Sequence, residues 1–400
     1  MNIQDFQAPE AGHFVQTPQG PPAFVPAPLP PRLIYDPPLV LALSRADAAL
    51  SELAGLGRTL PDPRLLIAPY VRREAVLSSR IEGTQADLID LLRDELAAPG
   101  EASARENPAR ENPANPSAHQ EAGDVHEVRN YVAALEYGVQ RLETLPLSLR
   151  LVRELHQTLM RGVRGEKALP GEFRRSQNWI GGPGSTLATA AYVPPLPAEM
   201  RECLARWEQF AHEKDAMPEL VQCALLHAQF EAIHPFLDGN GRVGRLLITL
   251  FLIERGRLDQ PLLYLSEYIE ANRQGYYEAL QRVRTEGDWR GWLMYFLTGV
   301  AETARKGVEQ ARQLLGLRAE WGHRLRSQPR ALLLLDALFA NPFVTVARAE
   351  RVLGVSNPTA RQLVSRLERE GVLRETTQRA WGRVYVAEAI LHALAGENKA

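Results

Sequence analysis

Two apolar helical stretches, residues 220–233 and 243–254, are joined through a polar loop, and the string His234-Pro-Phe-Leu-Asp-Gly-Asn-Gly-Arg-Val-Gly-Arg245 spans the join. This join constrains the chain more than any other feature. Pro235 stops the first helix, so His234 is presented at a helix end rather than within one. Gly239 and Gly241 permit backbone angles that gather successive N–H groups into one concave surface where the second helix opens. Such a nest binds phosphate oxygens through amides and the helix dipole. Arg242 and Arg245 add permanently charged, bidentate donors. Asp238 supplies a hard carboxylate oxygen suited to Mg²⁺, which binds with phosphates and few protein ligands. His234 is the one group there that accepts a proton near neutral pH. A lone Gly-Asn-Gly is only a turn, and a lone His-Pro only ends a helix. Base, carboxylate, nest and two arginines together form a nucleotide phosphate site beside a general base, the equipment of phosphoryl or nucleotidyl transfer. A Walker-type GxxxxGK[ST] loop does not occur.

The rest of the chain divides around this core. At 400 residues it is too long for one ordinary core, so two or three domains are expected. Residues 1–38 are rich in Pro and read as an extended arm on a domain surface. Residues 39–123 form an N-terminal helical region: Leu39, Leu43, Ala46, Leu50 and Leu53 recur as one face of an amphipathic helix, and 63–79 and 84–96 are helical too. Within it, 100–123 repeats ARENP, holds almost no large apolar residue, and reads as a flexible loop. Residues 124–318 hold helices over 125–141, 148–160, 198–212, 268–284 and 289–318. Between them, 171–197 switches to Gly, Pro and short β-like runs, which predicts a hairpin flap. The tail, 329–400, reads helix, helix, turn, helix and two short β-like runs, the order of a winged helix-turn-helix. The fold expected is mainly α.

Composition excludes little else. A net charge of −2 argues against a chain that coats nucleic acid, while leaving room for one basic module. Cys203 and Cys223 lie in helix-like apolar stretches as buried thiols, without disulfide or metal spacing, which fits a reduced, cytoplasmic compartment. The N-terminus lacks the pattern of a signal peptide. The most apolar run, 246–256, meets charge too soon to span a bilayer, so no membrane association is expected.

The central string matches HPFxxGNGRxxR, the motif of the Fic/DOC family, without a departure. DVHEVRNYVAAL (124–135), GEFRRSQNWIGG (171–182), AAYVPPLP (190–197) and YLSEYIEANRQGYYEALQRVR (264–284) resemble further family segments, so the resemblance covers roughly residues 30–300. It implies a Fic-type helical core with a β-hairpin flap, and protein adenylyltransferase activity with ATP as co-substrate and Mg²⁺ as cofactor. His234 would deprotonate a Ser, Thr or Tyr hydroxyl of a target protein, and Asp238 would hold the metal. Gly239, Asn240 and Gly241 would form the nest, running on through Val243 and Gly244. Arg242 would hold the α/β-phosphates and Arg245 the γ-phosphate. Asn178, Trp179, Ile180 and Gly181 of the flap would clamp the target. Tyr276 and Tyr277 would line the adenine pocket, although helix core is the plainer reading of both. ATP over another nucleotide rests on the resemblance alone.

Ser78-Ser-Arg-Ile-Glu82-Gly83 resembles the family's inhibitory helix, [S/T]xxxE[G/N], in the class that carries it before the core. A Glu82 carboxylate paired with Arg245 would take the position the γ-phosphate needs. Some relatives also remove AMP at this site, and the residues leave that open. From 329 to 400, ten Lys/Arg face seven Asp/Glu. That modest excess leaves two roles open for the tail: DNA contact, or protein docking that includes pairing as a homodimer. The rival to an enzyme is a DNA-binding transcription regulator that uses the core as a nucleotide sensor.

Overall fold

Helix dominates the chain and its strands are few and short. The computed structural model describes residues 3–18, 20–59, 64–96, 116–163, 169–182, 184–377 and 382–396. The Pro-rich N-terminal segment is not simply extended. Strands β1 (Gly12–Val15) and β2 (Ala23–Pro26) pair antiparallel, with Gly12 opposite Pro26 and Val15 opposite Ala23. Phe24 supplies the reason: its ring packs with Phe6, Phe14 and Tyr192, an apolar anchor that Pro content hides.

Helices follow in order: α1 (Pro37–Thr59), α2 (Arg64–Ile81), α3 (Leu88–Asp94), α4 (Pro116–Arg141), α5 (Leu149–Leu159) and α6 (Pro197–His212). Then come α7 (Glu219–Ile233), α8 (Asn240–Glu254), α9 (Ser266–Ala271), α10 (Arg273–Glu286) and α11 (Trp289–Leu325). The predicted face of α1 is buried at Leu39, Ala46, Leu50 and Leu53. Helix α7 is buried from Leu220 to Ile233, so it is the central rod of the bundle. Cys203 and Cys223 are both buried and free.

Several boundaries differ from expectation. Residues 100–115 of the predicted loop lie outside the described residues, but the remainder, from Pro116, already belongs to α4. Proline there suits the first helical turn, where its missing N–H costs nothing. Helix α3 starts only at Leu88, because Asp87 and Asp90 form a reciprocal capping box. The helix predicted over 268–284 is broken at Asn272 into α9 and α10. The flap does not form a ladder: among the described residues of 171–197 a single bridge joins Ile180 and Tyr192. Gly181, Gly182 and Gly184 raise the cost of ordering one side, and Pro194 and Pro195 lack donors on the other.

The tail comprises α12 (Pro329–Ala340), β3 (Phe343–Thr345), α13 (Val346–Leu353), α14 (Asn357–Arg369), β4 (Arg374–Glu375), β5 (Val384–Val386) and α15 (Glu388–Ala395). Its sheet runs β3-β5-β4, antiparallel throughout. Thr345 caps α13, and Gly354 ends it in the left-handed region. Ser356 stands at the N-cap of α14 but makes no capping bond; its hydroxyl meets Thr359 instead.

Candidate functional site

The site forms where α7 ends and α8 begins. His234 closes α7 at φ +49°, a left-handed conformation uncommon for a residue with a side chain. Its surroundings hold it there. The buried Arg174 donates from Nε to the His234 carbonyl at 2.9 Å and from Nη2 to that of Ile233 at 3.5 Å. Asn178 Nδ2 donates to the carbonyls of His234 and Phe236 at 3.4 and 2.9 Å. The Asn240 side chain locks the same loop, accepting from Phe236 N at 2.8 Å and donating to Phe236 O at 2.9 Å. His156 stacks on Phe236, with centroids 3.7 Å apart, and bonds the Asp238 carbonyl at 3.1 Å.

This frame leaves the His234 ring half-buried, with Nδ1 enclosed and unpartnered. Burial, then the charges of Arg284 and Arg174, push its pKa down to about 3. Burial therefore favours the neutral imidazole, the form from which a general base acts.

Gly239 opens α8 at φ +76°, which a side chain would resist. At Gly241 the requirement is space. A Cβ there would stand 2.2 Å from Glu82 Oε1 and 3.0 Å from Arg245 Nη1. A carboxylate thus lies against the first turn of α8, where an anion is favoured by free amides and the helix dipole. Arg245 Nη2 donates to Glu82 Oε1 at 2.7 Å and to the Ser78 carbonyl at 2.9 Å, and its Nε to Ser78 Oγ at 2.8 Å. The Arg245 side chain is 2% exposed and that of Glu82 36%. Burial would raise the Glu82 pKa, but Arg245, through charge and hydrogen bond, outweighs it and the net shift is downward. Gly83 ends this turn at φ +99°.

Arg242 is also buried. It pairs with Glu127 at 3.0 Å, lies 3.7 Å from Asp238, and keeps Nε without a partner. Val243 and Gly244 are buried, with Gly244 packed under Glu231 and His227 of α7. Among the described residues no cluster of three His, Cys, Asp or Glu forms a protein cage for a metal. Asp238, half exposed at the rim, fits instead a Mg²⁺ whose other ligands are phosphates and water.

The tyrosines part company. Tyr276 is 1% exposed, and its hydroxyl bonds His227 Nε2 at 2.8 Å, so it backs the pocket and does not line it. The reason is helical phase, which turns Tyr276 inward and leaves Tyr277 47% exposed. In the flap, the Asn178 side chain is committed to the loop, Trp179 and Gly181 face outward, and Ile180 makes the single bridge.

A Fic/DOC family N-terminal model matches residues 40–140, and a Fic/DOC family model matches 146–252, together just over half of the chain. The chain belongs to the Fic/DOC family. Among its relatives is a protein adenylyltransferase Fic of Drosophila grimshawi, 27% identical over 173 residues, covering 42% of this chain and 32% of that protein. Another, from Aedes aegypti, is 31% identical over 151 residues, covering 37% and 27%. The matched region thus spans about a third of these relatives' length. A Fic family protein from Desulfovibrio desulfuricans G20 shares the fold, with a TM-score of 0.56, 20% identity and coverage of 90% of this chain and 98% of that one.

Several residues of this Fic site carry no signal in the motif. Arg174, His156 and Glu127 come from distant segments, and only the folded chain brings them to the loop. Arg273 of α10 donates to the Ile81 carbonyl, next to Glu82. Glu231, one turn before His234, is buried with Oε1 unpartnered, and burial pushes its pKa up to about 7.

Proposed function

We propose that this chain is a protein adenylyltransferase that moves AMP from ATP to a Ser, Thr or Tyr hydroxyl of a target protein. The single observation that carries the reading is a carboxylate packed against the Gly241 backbone at the start of α8, bonded to Arg245, on the loop that presents the His234 imidazole. The names of the curated relatives point to the same chemistry.

In the reaction, His234 takes the proton of the target hydroxyl. The freed oxygen attacks the α-phosphate of ATP, the bond from that phosphorus to the bridging oxygen breaks, and pyrophosphate leaves. Amides of Gly239 to Gly241, with Arg242 and Arg245, hold the phosphates through charge-assisted bonds. Asp238 would hold Mg²⁺, which when bound neutralises phosphate charge. Glu82 acts as an inhibitor: while it occupies Arg245, the γ-phosphate cannot, and a bound triphosphate is turned from in-line attack.

The C-terminal segment is read as a winged helix-turn-helix, supported by its element order and its antiparallel three-stranded sheet. No helix among the described residues is long and apolar enough to cross a membrane. Incubation with α-³²P-ATP and Mg²⁺ tests the central claim. Transfer of label to the chain or to lysate proteins, lost in His234→Ala while ATP binding persists, supports it. Nucleotide binding without any transfer would favour a sensor instead.

A further inference from the structure

The C-terminal segment meets both helices that flank the Glu82 turn: α12 packs on α2, and residues from Asn341 onward reach the end of α3. α3 follows Glu82 after a tether of a few residues, pinned where Gln85 N donates to Asp124 Oδ2 at 2.9 Å. A helix end leaves carbonyls without partners, and those at the end of α3 are met by side chains from the far end of the chain. Asn341 Nδ2 donates to Leu92 O at 3.0 Å, Arg348 Nη1 to Glu95 O at 2.6 Å, and Arg351 Nη2 to Leu96 O at 3.3 Å. Leu92 shares an apolar cluster with Phe343 and Val386, and Arg93 lies over the Phe343 ring. Glu95 also pairs with Arg72 of α2 at 2.7 Å, so both helices flanking Glu82 meet at this joint.

We propose that the C-terminal module governs the Glu82 clamp. Docked on α3, it holds the α2–α3 turn so that Glu82 stays in the nest; lifted off, it lets the turn relax and Glu82 leave. Arg348 and Arg351 are committed to α3 carbonyls, which gives α13 a docking role. The proposal rests on the reading of Glu82 as an inhibitor.

The test uses the full chain, with Arg348→Ala/Arg351→Ala made alone and together with Glu82→Gly. Self-labelling from α-³²P-ATP is measured alongside amide exchange over residues 79–96. The expected result is a severalfold rise in labelling from the arginine pair when Glu82 is present, no further rise in the Glu82→Gly background, and faster exchange at 79–87. A merely structural effect would change labelling equally in both backgrounds, and that outcome overturns the proposal. So does a rise from Glu82→Gly with none from the arginine pair, which would leave the inhibitory reading standing. A silent Glu82→Gly would remove the inhibitory reading itself, and this proposal with it. If the double variant does not fold, the exposed Arg351→Ala alone takes its place under the same criteria.

Discussion

Glu82 Oε1 lies 2.7 Å from Arg245 Nη2 and presses on the Gly241 backbone so closely that one methyl group could not fit between. A carboxylate from before the family core therefore occupies the anion position of a helix it reaches only through folding. Gly241, Arg245 and Glu82 form one packed unit, and each part can be changed separately.

Removing the occupant is the first test. A hydrogen bond to a charged group contributes about 1.5–3 kcal/mol, and about 1.4 kcal/mol is tenfold in an equilibrium. Glu82→Gly should then raise AMP incorporation by roughly 10- to 100-fold, measured as initial labelling with α-³²P-ATP and Mg²⁺. Equal incorporation by the variant and the parent chain would refute the inhibitory role.

Filling the cup is the second. Gly241 lies inside α8 with no positive φ, so Ala suits its backbone, and helix propensity favours Ala by about 1 kcal/mol. Yet the new methyl would collide with whatever anion sits there, carboxylate or phosphate. In a Glu82→Gly background, where the carboxylate is already gone, Gly241→Ala should melt no lower than that background while labelling falls at least about tenfold. A variant that melts normally and labels normally would show that no phosphate needs this space.

How much of this was legible depended on where the partners lie. The base, nest and arginines could be read because their roles follow from residue types in one unbroken string. Glu82 could be read only through resemblance, since a helix-terminal Glu-Gly alone means little. The support under His234 could not be read at all: Asn178 meets Phe236 across 58 positions, and Arg174 meets the His234 carbonyl across 60. The resemblance puts both Tyr276 and Tyr277 on the pocket wall, since two adjacent tyrosines do not reveal which one faces in. The N-terminal hairpin was hidden because its stability comes from Phe24 meeting Tyr192, a contact that strand propensity does not encode.

The support under His234 yields the third prediction. Asn178→Ala removes one of the two donors that meet each of the His234 and Phe236 carbonyls, leaving Arg174 on the first and the Asn240 side chain on the second, at a cost of about 0.5–1.5 kcal/mol for each lost bond. His234, held at positive φ, should then lose its alignment. In a Glu82→Gly background, kcat for labelling should drop well over tenfold while KM for ATP changes little, because Asn178 touches the loop and not the phosphates. A change confined to KM would move Asn178 from loop support to nucleotide contact.

Acid should unfold this chain earlier than its carboxylates alone would dictate. Burial first, with nearby arginines, holds His156 at a pKa of about 4 and His227 and His234 at about 3. In the unfolded chain each takes up a proton near pH 6.5. Between about pH 6.5 and 4 the unfolded state therefore binds up to three protons that the folded state refuses, and stability falls as pH falls. Glu231 works the other way. Its folded pKa of about 7 lies above the ordinary 4.5, so the folded chain holds that proton between these values and loses stability as pH rises. Three groups against one leave a net loss toward acid, on the order of 1.4 kcal/mol per pH unit for each unbalanced proton. The Tm should fall from pH 6.5 downward. His227→Gln should flatten that slope by about one proton, since His227 is fully enclosed by its bonds to Gly244 and Tyr276. A Tm constant from pH 7 to 5 would mean that these imidazoles protonate in place.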